Sequence, residues 1–148
     1  MNLLNVATIL CIGLLIGAEF AVSAFVNPVI NKLDLAAKAE ATRLFARLLG
    51  TVMPVWYIAN LLLLISETII HLHNSLIVWL GVAVAFWGAA IALSLVSLVP
   101  ISNRLARMDA DGWTESAQRE HRKWDALHRV RVFALAVAMI SFLAGIGI

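Results

Sequence analysis

Glu19 is the only charged residue in an apolar run from Leu3 to Val26. An ionisable group at membrane depth is costly, so it needs either a partner or a task. Two readings of Glu19 stay open: a structural carboxylate paired with a base on another helix, or a working group in a pocket. Later in the chain, Ala117, His121, Trp124, His128 and Arg131 fall within an arc of roughly 80° on a helix that turns about 100° per residue. Arg119, Arg122, Lys123 and Arg129 fall outside that arc. The helix thus separates solvated cations from a stripe of Trp, His and Arg that is unsuited to lipid. The competing reading is an interfacial anchor, with Trp in the headgroup belt and Arg on lipid phosphate; Trp113 taken alone reads that way. Pro100 and Asn103 form a third group. Pro100 is expected to end or kink its helix, and Asn103 to cap the broken end or point into the same region.

Together these residues suggest carbanion chemistry. His128 or Glu19 would serve as base toward an acidic C–H. Arg131 and the amides of Asn27 and Asn103 would hold the resulting enolate oxygen, and Trp124 would form a stacking wall. An electron-rich enolate reacts with dioxygen without a cofactor, and the chain carries no cofactor motif. The alternative is a bound metal on Glu19 and His128, which needs His121 or water as a further ligand. A weaker cluster, Glu67 and His71 with His73, reads as a solvated loop rather than a metal site.

The elements that would position these groups follow from composition. Of 148 residues, 62% are hydrophobic and 14% charged, against about 25% charged in a soluble domain. So short a chain would have a greasy surface in water, which excludes disorder, a nucleic-acid-binding domain and an ordinary cytosolic enzyme. The single cysteine, Cys11, excludes an internal disulfide and a paired-cysteine redox centre. Four stretches reach the roughly 20 apolar residues of a membrane helix: 3–26, 48–66, 76–99 and 132–148. The expectation is one all-α domain over 1–148, an integral membrane four-helix bundle. No basic n-region precedes the first stretch, so it reads as a retained span. No internal repeat is evident.

All eleven Lys and Arg lie in two segments. Lys32, Lys38, Arg43 and Arg47 fall between spans one and two; the other seven, Arg104 to Arg131, fall between spans three and four. The positive-inside rule then places both long connections in the cytoplasm and both termini outside. These connections are themselves helical. Ile30, Leu33, Ala37, Ala41, Leu44 and Leu48 recur at helical spacing, predicting an amphipathic helix continuous with span two. Thr114 is a candidate N-cap with Glu115 in the first turn, after a turn at Asp109-Ala110-Asp111-Gly112, and that helix would run into span four. Glu19, Asn27, Pro100, Asn103, His128 and Arg131 then share one depth in the cytoplasmic half. Gly13 and Gly17 form a GxxxG that serves either packing inside the bundle or a homo-oligomer.

The ordered motifs Gly17-Ala18-Glu19-Phe20, Phe25-Val26-Asn27-Pro28, Val99-Pro100-Ile101-Ser102-Asn103, and Trp124 with His128 and Arg131 resemble the anthrone oxygenase-like family of small four-span membrane proteins. The resemblance extends over the whole chain in length and span order, and spans two and the loop after it carry no matching motif. It implies oxidation of a lipophilic, anthrone-like aromatic, as a few fungal members are linked to the oxidation of anthrones to anthraquinones. It implies no role for any individual residue. The expected partners are membrane lipid and a lipophilic small molecule. A non-catalytic scaffold, or a binder of a lipid or quinone headgroup, is the other class the residues allow. A transporter fits less well, because four spans without an inverted repeat give little for alternating access.

Overall fold

A computed structural model describes residues 2–107 and 115–148 of the chain. Four helices account for most of them: α1 (Leu3–Ile30), α2 (Leu35–Ile70), α3 (Ile77–Leu105) and α4 (Glu115–Gly145), each long and apolar enough to cross a membrane. The described residues contain no strand. Each helix packs on its sequence neighbours, and α4 closes the bundle against α1. Short connections enforce this up-down order. At its start α1 has a reciprocal cap, with Asn2 and Asn5 each taking the other's backbone N–H. Asp34 caps α2 through Ala37 N–H, which satisfies one of the donors a helix start leaves open.

α2 begins at Leu35 and runs unbroken to Ile70, through Pro54, so the amphipathic connection and the second span are one rod. α4 likewise joins the second basic connection to the last span. Thr114, Trp113 and the turn at Asp109–Gly112 lie outside the described residues.

The bundle is apolar outside and polar within. Leu14, Phe25, Val55, Leu62, Val96 and Phe133 are among the exposed large side chains, whereas Thr8, Glu19, Asn60, Glu67, His128 and Arg131 are buried. Water would not tolerate that exterior; acyl chains would, and they leave polar groups no choice but the interior. Ile12, Leu15, Leu64, Leu80, Trp87, Leu135 and Phe142 fill the centre. At one point α3 and α4 touch so closely that a Cβ on Gly145 would stand 2.6 Å from Leu80 Cδ2, so a side chain there is excluded. Gly13 and Gly17 face outward, and a Cβ on either would meet no atom; the GxxxG does not serve packing inside the bundle.

Of the two alternatives for Pro100, ending its helix or kinking it, the first is corrected: the helix continues to Leu105. A π-helical segment, Ser94–Leu98, comes just before Pro100, and the same device, Val22–Val26, precedes Pro28. Proline lacks an N–H and its ring presses on the carbonyl four residues back; a widened π turn upstream absorbs both defects. Both π turns lead into one short repeated motif: Pro28-Val29-Ile30-Asn31-Lys32-Leu33 and Pro100-Ile101-Ser102-Asn103-Arg104-Leu105 share the pattern Pro-x-x-Asn-basic-Leu, the first running past the end of α1 and the second lying within α3.

Candidate functional site: a closed ionic layer beside a cleft

Each helix delivers one polar side chain to a single layer: Glu19 from α1, Tyr57 from α2, Ser94 from α3 and Arg131 from α4, with His128 one turn before Arg131. Arg131 Nη2 donates to Glu19 Oε2 at 2.6 Å and approaches His128 Nδ1 at 2.9 Å. Arg131 Nη1 donates to Ser94 Oγ at 3.0 Å. Tyr57 OH donates to Glu19 Oε1 at 2.9 Å, and the guanidinium carbon lies 5.4 Å from the Tyr57 ring centre, a cation–π distance. Arginine has no acceptor, so His128 Nδ1 must accept and its proton sits on Nε2, which donates to the Glu19 backbone carbonyl at 3.1 Å. Both Glu19 oxygens and both His128 nitrogens are therefore engaged. Glu19 and His128 are almost fully buried, and neither they nor Arg131 line the cleft described below. The sequence brings these three residues to one depth, and they meet there as a network that occupies both Glu19 oxygens, both His128 nitrogens and both Arg131 Nη atoms, leaving Arg131 Nε unpaired.

A second layer, nearer the basic end, centres on Asp125. Asn27 Nδ2 donates to Asp125 Oδ1 at 2.6 Å, Asn31 Nδ2 reaches Oδ2 at 3.5 Å, and Lys38 Nζ donates to Asn31 Oδ1 at 2.7 Å. His121 Nδ1 stands 3.8 Å from Asp125 Oδ2. Asp125 escaped the sequence reading because basic neighbours made it look like one charge on a solvated face. Its spacing of four from His121 and three from His128 is the signal that places it on the buried stripe.

Beside the second layer opens a cleft of about 60 Å³, walled by the first π segment (Val22, Val26), the start of α2 (Thr42, Phe45) and His121 with Trp124 of α4. Asn27 and Ser102 add amide and hydroxyl. Phe45 is the most exposed of the lining residues, at 37%, so the mouth is apolar. Trp124 belongs to both regions: its ring lines the cleft and stacks on His128 at 4.8 Å between centres, 9° from parallel. Trp124 thus stands at the cleft, while Glu19, His128 and Arg131 do not line it.

Asn103 is not part of either layer. It is exposed, because Ile101 and Leu105 hold the inward face and a residue two positions from each points about 200° away from it. Its counterpart in the repeat, Asn31, is the amide that reaches Asp125. The metal reading also fails on geometry. His121 and His128 are two turns, about 10 Å, apart along α4, Glu19 is committed to Arg131 and Tyr57, and no three His, Cys, Asp or Glu gather among the described residues. At the opposite end, Glu67 is buried, takes a hydrogen bond from Thr8 at 3.3 Å and lies 3.5 Å from His71 Nδ1; His73 is exposed. Glu67 is thus no part of a solvated loop.

No curated protein and no solved structure matches the chain. A family model does, over residues 42–141. That stretch holds Tyr57, Ser94 and the whole run from His121 to Arg131, and leaves Glu19 and Asn27 before it. It spans well over half of the 148 residues, and the chain belongs to the anthrone oxygenase family.

Proposed function

We propose that the protein is an oxygenase-type oxidoreductase acting on a lipophilic hydroxyaromatic, with the cleft as its site and His121 as its base. The observation that carries this is the pairing of a cleft-lining imidazole with a buried carboxylate behind it, at 3.8 Å. Family membership supports the reaction class. Glu19 and His128 are poorer bases because their lone pairs are already engaged, and Arg131 is a poorer anion holder because it is committed to Glu19, His128 and Ser94.

In this reading His121 removes a proton from the ring methylene that stands across the central ring from the carbonyl and is conjugated to it through the fused aryl rings, and Asp125 stabilises the imidazolium. The carbanion passes one electron to dioxygen, the radical pair forms a C–O bond, and His121 returns the proton to give a hydroperoxide. Loss of water leaves a carbonyl. The net change is CH2 plus O2 to C=O plus H2O. A cleft of about 60 Å³ holds a few waters, so a three-ring substrate requires the Phe45 side to open toward the acyl chains. Trp124 then stacks on the ring.

The test is dioxygen uptake by the purified protein in lipid nanodiscs with an anthrone. His121→Asn should lower the rate at least about 100-fold, the scale of lost general-base catalysis. No uptake by the wild-type protein, with the anthrone still bound, favours a non-catalytic carrier of lipophilic aromatics. The Glu19 layer, which does not line the cleft, supports that second reading, since it resembles a structural anchor.

The site also implies a side. The distribution of Lys and Arg supports a cleft at the cytoplasmic leaflet, with both termini outside. Cysteines placed at Lys38 and Arg119 should react with an impermeant maleimide only after the cytoplasmic face is opened. Reaction in sealed cells would reverse the orientation.

A further inference from the structure

We infer that the Thr42 hydroxyl is the anchor for the oxygen atom of an uncharged aromatic ligand in the cleft, an inference that rests on reading the cleft as a ligand site. Of the four Ser and Thr hydroxyls on α2, three bond back to the carbonyl four residues earlier: Thr51 to Arg47, Ser66 to Leu62 and Thr68 to Leu64. This is the ordinary solution for a hydroxyl on a helix surrounded by apolar material. Thr42 does not take it. Its Oγ1 is buried without a partner, although the residue is only 9% exposed and lines the cleft. A buried unpaired hydroxyl is unfavourable, and a ligand oxygen in the cleft removes that defect.

The rest of the lining limits what that ligand is. No Lys, Arg, Asp or Glu belongs to it among the described residues. A carboxylate, sulfonate or phosphate would therefore enter without a counter-charge, at a desolvation cost that apolar walls do not offset. Val22, Val26 and Phe45 suit hydrocarbon, and Trp124 supplies a flat face held rigid by its stack on His128. A neutral, flat molecule bearing a carbonyl or phenol fits all of these. Both groups accept a hydrogen bond from a hydroxyl, so the same anchor serves ketone and enol forms.

Binding without turnover tests this. Wild-type protein in nanodiscs is equilibrated under argon with 9,10-anthraquinone, anthracene or anthraquinone-2-sulfonate, and empty nanodiscs correct for partition into lipid. Anthraquinone should bind best. Thr42→Val, which keeps the shape and removes the hydroxyl, should weaken anthraquinone about 3- to 10-fold, the value of one hydrogen bond, and leave anthracene unchanged. Thr42→Ser should restore wild-type binding. Because the valine variant loses an unpaired buried hydroxyl, its thermal midpoint should not fall. Equal anthraquinone binding by the wild-type and valine proteins overturns the inference, as does tightest binding of the sulfonate or no binding by the wild type. Normal binding results with no dioxygen uptake would remove the oxygenase reading and leave the Thr42 anchor standing.

Discussion

Arg131→Gln should destabilise the bundle by about 3–5 kcal/mol, and Glu19→Gln made in that background should cost far less than it does alone. Removing one member of a buried ion pair leaves the other charged and unpaired, and that penalty exceeds the value of the contact itself. The geometry makes the effect large here. Arg131 Nη2 lies 2.6 Å from Glu19 Oε2, the carboxylate is 2% exposed, and its remaining hydrogen-bond partner, the Tyr57 hydroxyl, does not replace a cation. The single Glu19→Gln change strands the guanidinium in the same way, with only Ser94 and His128 left to it. A double-mutant cycle by reversible unfolding in mixed micelles measures the coupling. Additive effects would mean that the two residues act independently, and the ionic layer would lose its place as the anchor of the fold.

The parts of this layer differ in how readily the sequence reveals them. Glu19 and Arg131 stand out because each is a charge beside an apolar run, and the positive-inside pattern sets them at one depth. Tyr57 and Ser94 carry no such mark. An uncharged polar residue in a span looks like an interfacial tyrosine or a serine bonded to its own helix, and Ser94 does in fact bond to the Ala90 carbonyl at 2.8 Å. Their roles appear only when four helices converge, joining residues as far apart in sequence as Glu19 and Arg131.

Pro28 and Pro100 mislead in the opposite direction. Local rules read a proline after an apolar run as a helix end, whereas a π turn lets both helices continue. That continuation carries Asn31 to Asp125 and turns Asn103 outward. The helices themselves were legible, including the unbroken rod from Leu35 to Ile70, because apolar spacing near 3.6 survives the change from amphipathic surface to membrane span.

Trp87→Ala should cost about 3–5 kcal/mol, the range for deleting a large buried aromatic, and its consequences should reach the ionic layer. Trp87 is fully buried in the central cluster with Leu64, Leu80 and Leu135. Its Nε1–H donates to the Tyr57 carbonyl at 3.0 Å, and the two rings lie 5.8 Å apart. Tyr57 in turn holds Glu19. Trp87 therefore braces the one hydroxyl that neutralises the second carboxylate oxygen. Trp87→Phe separates the two contributions: it keeps most of the volume and leaves the carbonyl its helical bond, so it should cost about 1 kcal/mol for the lost hydrogen bond plus the smaller ring. The connection to the ionic layer is read from a second cycle pairing Trp87→Ala with Tyr57→Phe. A loosened Tyr57 no longer holds its hydroxyl on Glu19, so removing that hydroxyl should matter much less in the alanine background. If Tyr57→Phe costs the same about 1 kcal/mol in both backgrounds, Trp87 is a volume-filling core residue and does not position the carboxylate.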